Sequence, residues 1–256
     1  MRRFLLLGAS FALAALVQAA PIVPVVSTDA TALANAILGG IPGTVDTAVL
    51  NGDGPEVGTF SGATGLLPFD SGVFLTTGGS VCIPGPNNTN DCTGDFGFFS
   101  ELSIEFTPTA SAISIQYVFG SEEYPPSSPS FPDLLTIVLN GVNIALIPVT
   151  NDTVTPVNVN SGTNASFFTD NSGGALDLQY NGLAGIAATL TANGLLNPGV
   201  TNTLVIRIED ATDGSLDSGV FLRAASVPRN PVPEPATYAL LGAGLLAIAA
   251  FRRKRA

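Results

Sequence analysis

Two apolar runs, Leu134–Leu139 and 142–147, flank the dipeptide Asn140-Gly141. Asn-Gly is a favoured central pair of a type I′ turn, whose twist matches that of paired antiparallel strands. The segment therefore reads as a β-hairpin. A lone hairpin is marginal in water and needs further strands to bury its apolar face. The chain supplies them. Residues 102–106 and most of 113–119 alternate apolar and polar side chains, the period of half-buried strands. Gly72–Thr76, 154–159, 186–191, 204–208 and 220–224 are further strand candidates. With 28 Gly, 19 Pro and only 11% charged residues, the composition favours a loop-rich all-β protein. The expected fold is an antiparallel β-sandwich, with jelly-roll-like and immunoglobulin-like arrangements both open. One short helix is expected near the N-terminus. Ser27 or Thr28 caps it, Leu33, Ala34, Ile37 and Leu38 share one face, and Gly39-Gly40-Ile41-Pro42-Gly43 ends it.

The two ends stand apart from this pattern. Met1-Arg2-Arg3 precedes an apolar stretch from Phe4 to Val17, and Val17-Gln18-Ala19 offers small or modest residues to a signal peptidase. This is the layout of a cleavable secretory signal, 1–19, with cleavage expected after Ala19. The expected main domain is 20–227, followed by a linker and tail over 228–256. The tail holds Pro233-Glu234-Pro235, an apolar run at 236–251 and a basic end at 252–255. As a helix the run would be about 24 Å long, a little short for a bilayer core. The basic cluster would hold its end in the cytoplasm, opposite the exported body.

Between Pro21 and Pro233 the chain carries nineteen acids against three arginines, a net charge of −16. Such a body repels nucleic acid and anionic membrane. The absence of His rules out Ser-His-Asp and Cys-His catalysis, and the absence of Lys from the body rules out a Ser-Lys dyad or Schiff base. A carboxylate pair for glycoside hydrolysis stays open. Cys82 and Cys92, exported to an oxidising compartment, are expected to form a disulfide. Two acidic clusters carry the candidate metal chemistry: Glu122, Glu123 and Asp133, then Asp210, Asp213 and Asp217 beside Glu209. Calcium takes six to eight oxygen ligands, and loop carboxylates with backbone carbonyls supply them. The same acids also read as solvated loop residues and turn formers. Asn-x-Ser/Thr triplets begin at Asn87, Asn151 and Asn164; in a bacterial protein they read as polar loops.

The ordered tail, Pro233-Glu234-Pro235, apolar run and Arg-rich end, resembles the PEP-CTERM sorting signal. The resemblance implies recognition and cleavage by an exosortase, a Gram-negative host that makes exopolysaccharide, and transient insertion in the inner membrane. Several body segments are similar to the choice-of-anchor L domain. They are Gly72-Val73-Phe74-Leu75-Thr76-Thr77-Gly78, Tyr117-Val118-Phe119-Gly120-Ser121-Glu122-Glu123-Tyr124, 140–146, Ile208-Glu209-Asp210 and Asp217-Ser218-Gly219-Val220-Phe221-Leu222. The chain departs from that pattern at the proline-rich stretch Pro125-Pro126-Ser127-Ser128-Pro129. It departs again at Pro132-Asp133, where the family resemblance implies Asn-Asp. The family brings no established enzymatic activity.

The sequence thus predicts a non-catalytic protein of the cell surface or extracellular matrix, serving adhesion, biofilm building or association with exopolysaccharide. Its partners would be signal peptidase and an exosortase during export, and exopolysaccharide or other surface proteins afterwards. The competing expectation is a secreted carboxylate-dependent hydrolase acting on polysaccharide.

Overall fold

The computed structural model describes residues 21–52, 56–88, 98–125, 133–211 and 216–225. The signal segment with Ala19, the tail with Pro233, Glu234 and Pro235, and both Asp213 and Cys92 lie outside the described residues. Among those described, no helix is long and apolar enough to cross a membrane.

The elements are β1 (Val23–Val26), α1 (Ala30–Leu38), β2 (Gly43–Gly52), β3 (Glu56–Ser61), β4 (Gly72–Thr76), β5 (Phe99–Pro108), β6 (Ala112–Ser121), β7 (Leu134–Leu139), β8 (Val142–Asn143), β9 (Phe168–Asp170), β10 (Gly182–Ala184), β11 (Leu190–Leu195), β12 (Asn202–Glu209) and β13 (Ser218–Leu222). The first sheet runs β1-β3-β4-β13-β6-β10-β9, with β11 also paired to β6. The second runs β2-β5-β12-β7-β8. Every strand pairing is antiparallel, so the two sheets form the expected sandwich.

The alternation in β5, β6, β7 and β12 places Leu102, Ile104, Ile113, Ile115, Tyr117, Phe119, Leu135, Ile137, Leu204 and Ile206 in the core between the sheets. The first sheet is also covered on its outer side. Phe60, Phe74, Val118 and Phe221 meet the loop residues Leu66, Leu67, Phe69, Ile83, Leu178 and Tyr180 there. Phe60 and Phe221 touch edge to face with centroids 5.3 Å apart. Burial on both faces explains the unbroken apolar runs Val73-Phe74-Leu75 and Val220-Phe221-Leu222.

The helix is capped one or two residues later than expected: Asp29 accepts from the Ala32 amide at 2.9 Å. Its buried face is the expected one, Leu33, Ala34, Ile37 and Leu38. At the hairpin, Asn140 and Gly141 have φ of 50° and 84°, the left-handed pair a type I′ turn requires. The returning arm is shorter than 142–147. Asn143 Oδ1 accepts from the amides of Ile137 and Ala145, replacing ladder bonds and ending β8 after its second residue.

The strand expected at 154–159 is absent. Only isolated bridges, Leu135 to Val154 and Leu146 to Thr153, survive there. Pro156 has no amide to give, and Asn158 and Asn160 bond their side chains to nearby backbone in tight turns. The strand expected at 186–191 is displaced to Leu190–Leu195, after a bend at Gly185 with φ of 104°.

Candidate functional site

The strand registers bring four of the motif segments, those on β4, β6, β12 and β13, to one end of the sandwich. In the first sheet Ser218 pairs with Ser121, and Gly219 pairs with Thr76. In the second, Glu209 pairs with both Phe99 and Leu134. The residues leaving β4, β6 and β12 therefore meet the residues entering β5, β7 and β13. Glu122, Glu123, Asp133, Asp210 and Asp217 all lie in this region, and all are buried, between 1% and 6% exposed. The solvated-loop reading of these acids is overturned. β6 ends at Ser121, and Glu122 and Glu123 both lie in the turn that follows it.

Specific bonds tie this end together. The Ser218 hydroxyl donates to Asp133 Oδ2, joining β13 of one sheet to the entry of β7 in the other. The Ser100 hydroxyl donates to the Thr76 carbonyl at 2.6 Å, a second link between the sheets. Glu122 and Asp217 exchange contacts: the Glu122 amide donates to the Asp217 carbonyl at 3.0 Å, and the Asp217 amide donates to Glu122 Oε2 at 3.2 Å. Thr76 and Thr77 donate their hydroxyls to the Ser218 carbonyl, and the Ser218 amide returns a bond to Thr77 Oγ1. The Ser121 hydroxyl accepts from the Glu123 amide.

Three glycines make room for these groups. A Cβ on Gly78 would stand 1.9 Å from Asp217 Oδ2. Gly120 and Gly219 both lie under Tyr180: a Cβ would stand 2.7 Å from the ring at the first and 2.2 Å from the hydroxyl at the second. Burial holds the Tyr180 phenol well above its ordinary range, and the nearby Asp217 and Glu122 charges push the same way against a bond to Thr76. The loop carrying Tyr180 is fastened by asparagines. Asn171 donates to the carbonyls of Leu178 and Tyr180, Asn87 to the Asn171 carbonyl, and Asn181 to the Glu122 carbonyl.

The described residues hold two cationic side chains, Arg207 and Arg223. Arg207 pairs with Glu101 and Glu209 and lies 3.7 Å over the Phe99 ring. Arg223 donates to Gln116. Among the described residues no three acidic side chains are disposed to hold one metal ion. Cys82 closes a short helical turn at Ser80–Cys82, and its expected partner Cys92 lies outside the described residues.

Sequence reasoning named the acids at this end but gave no role to Thr76, Thr77, Gly78, Ser100 or Tyr180. The first three stood inside a motif segment. Tyr180 and Ser100 carried no local signal, because register and loop packing alone bring them here.

A family model for the choice-of-anchor L domain matches residues 25–228. The chain belongs to that family. Four of the five choice-of-anchor L segments quoted from the sequence, those of β4, β6, β12 and β13, reach this end of the sandwich, whereas 140–146 forms the hairpin turn at the far end of β7. A model for the PEP-CTERM protein-sorting motif matches residues 231–255. The choice-of-anchor L protein is thus an exported surface protein sorted by an exosortase. No curated protein matches its sequence. Among solved structures, a family 35 carbohydrate-binding module from an environmental isolate is similar at 12% identity and a TM-score of 0.25, over 57% of this chain and 83% of its own. An isomalto-dextranase of Arthrobacter globiformis T6 complexed with panose is similar at 10% identity and a TM-score of 0.21, over 68% of this chain and 23% of its own. Both scores lie below 0.5, and the fold is read from the chain's own sheets.

Proposed function

We propose that this protein is a non-catalytic component of the cell surface or extracellular matrix, whose sandwich associates with exopolysaccharide and so serves adhesion or biofilm building. The observation that carries the reading is the PEP-CTERM motif at 231–255, immediately behind the choice-of-anchor L domain. In this reading the chain is cut after Ala19, the mature domain runs over 20–227, Cys82 and Cys92 are bridged, and the tail at 228–256 is handed to an exosortase during transient insertion in the inner membrane. Co-sedimentation of the secreted protein with exopolysaccharide from its host tests the function. Saturable binding with no new reducing ends is expected. Release of sugar fragments, abolished by Glu122→Gln or Asp210→Asn, would replace this reading with a carboxylate-dependent hydrolase.

The burial of Glu122, Glu123, Asp133, Asp210 and Asp217 at one end favours a second property, calcium binding. Ionised carboxylates are costly to bury, and a cation among them offsets that cost. With no three of these acids disposed around one point, the shell would draw on backbone carbonyls and water as well. Asp213, grouped with these acids in the sequence, lies outside the described residues. Calcium at tenfold excess over Kd should stabilise the fold by about 1.4 kcal/mol, a rise in Tm of about 3–6 °C. An identical melt in calcium and in chelator would remove calcium from the account.

A further inference from the structure

Beside the exit of β6, at the β9 edge of the first sheet, lies a cavity of about 250 Å³. Tyr124, Pro125, Ser161, Phe168, Asp170 and Ser172 line it. It is separate in composition from the acidic end: none of the five buried acids lines it.

Its apolar wall is a pair of rings. Tyr124 and Phe168 lie with centroids 4.9 Å apart and planes tilted by 43°. Both rest on Gly182 of β10. A Cβ there would stand 2.5 Å from the Tyr124 ring and 2.7 Å from Phe168, so glycine sets how deep the rings sit. Tyr124 is 4% exposed and acts as backing. Phe168 is half-buried and lines the cavity.

Its polar wall is Asp170. This residue is exposed, and its Oδ1 accepts from the Ser172 amide at 2.9 Å and the Ser172 hydroxyl at 2.7 Å. These two bonds fix the carboxylate beside the rings. Its other oxygen accepts from no described residue. Asn160 and the hydroxyl-bearing Ser161 and Ser172 complete the wall.

An apolar ring beside a fixed carboxylate and hydroxyls matches a pyranose. The C–H face of the sugar covers the ring, and its hydroxyls donate charge-assisted bonds to the carboxylate. The volume is below the roughly 300–1,000 Å³ of pockets for larger ligands, which limits the occupant to about one sugar unit. Asp170 and the net charge of −16 on the body repel uronates and other anionic sugars. A quaternary ammonium needs ring faces on several sides, and here one ring is accessible. We propose that this pocket holds one neutral sugar residue, stacked on Phe168 and hydrogen-bonded to Asp170. The proposal deepens the exopolysaccharide reading and rests on it.

The test is titration of the secreted protein with glucose, galactose, mannose and N-acetylglucosamine, followed by NMR or calorimetry. Asp170→Asn and Phe168→Leu are compared with wild type, and tetramethylammonium serves as a control probe. Saturable binding of at least one sugar is expected, at least tenfold weaker in both variants, with each variant melting close to wild type. If Phe168→Leu lowers the melt, Asp170→Asn, on an exposed side chain, decides alone. No binding of any of the sugars, binding unchanged in Asp170→Asn, or saturation by tetramethylammonium instead would overturn the assignment. Co-sedimentation of both variants with host exopolysaccharide separates the two claims. Retained polysaccharide binding with a silent pocket leaves the exopolysaccharide reading standing and this site refuted.

Discussion

Gly78→Ala is expected to destabilise the domain by about 3 kcal/mol, lowering Tm by about 6–12 °C. The reason is space alone. Gly78 has no left-handed φ that only glycine tolerates, but its missing Cβ is where the Asp217 carboxylate lies, with Oδ2 1.9 Å, Cγ 2.0 Å and Oδ1 2.3 Å away. A methyl group there must expel a buried carboxylate. The Asp217 backbone is held from both sides by Glu122, and Ser218 after it is bonded to Thr76, Thr77 and Asp133, so the strand cannot easily retreat. The decisive measurement is a double-mutant cycle by thermal or urea denaturation. In an Asp217→Ala background the collision is gone, and adding Gly78→Ala should cost less than about 0.5 kcal/mol. Equal costs in the two backgrounds would mean that the glycine does not serve to seat Asp217.

Much of the fold was legible because it rests on local chemistry. Asn140-Gly141 demanded a hairpin, and alternation in 102–106, 113–119 and 204–208 marked strands with one face in the core. The strands that escaped notice are those whose pattern tertiary contacts disguise. In β3, Gly58 interrupts the apolar rhythm, because a Cβ there would stand 2.1 Å from the Val25 carbonyl of β1. In β2, an edge strand, a register shift between Val45 and Thr47 breaks the period of two. The opposite error arose at 154–159, where three valines suggest a strand but Pro156 and the asparagine turns break it.

The candidate site was legible as a set of residues and illegible as an arrangement. Glu122, Asp133 and Asp217 are separated by eleven to ninety-five positions, and only the registers of β6, β7 and β13 bring them to one end. Their burial was the part sequence reasoning missed, since acids near turns are ordinarily solvated. The motif glycines did carry the clue. Gly78, Gly120 and Gly219 have room made for Asp217 and Tyr180 rather than for a turn, and that meaning appears only when the partner from another strand is known. The sugar pocket was not legible as a pocket: Tyr124 closes a quoted motif segment, but Phe168, Asp170 and Ser161 carry no motif, and only the fold brings the four together.

Replacing Pro233-Glu234-Pro235 by three alanines is expected to change the fate of the whole chain while leaving the sandwich untouched. The motif sits between the domain matched to residue 228 and an apolar run at 236–251 that ends in Arg252-Arg253-Lys254-Arg255. On the proposed reading, the run inserts in the inner membrane and the basic cluster keeps its end in the cytoplasm until the chain is cut. Wild type should therefore yield a mature species beginning at Ala20 and ending near Glu234, located at the surface or in the medium. The triple-alanine variant should keep its tail and fractionate almost entirely with the inner membrane, at unchanged Tm. Deleting 236–256 in that variant should restore release, because the membrane-holding run is then gone. Intact mass of each fraction reads all three outcomes, and comparing it before and after reduction tests the proposed Cys82–Cys92 bridge. A wild-type species still ending in Ala256, or a triple-alanine variant processed like wild type, would show that Pro-Glu-Pro is not the processing signal and that the tail acts as a plain anchor.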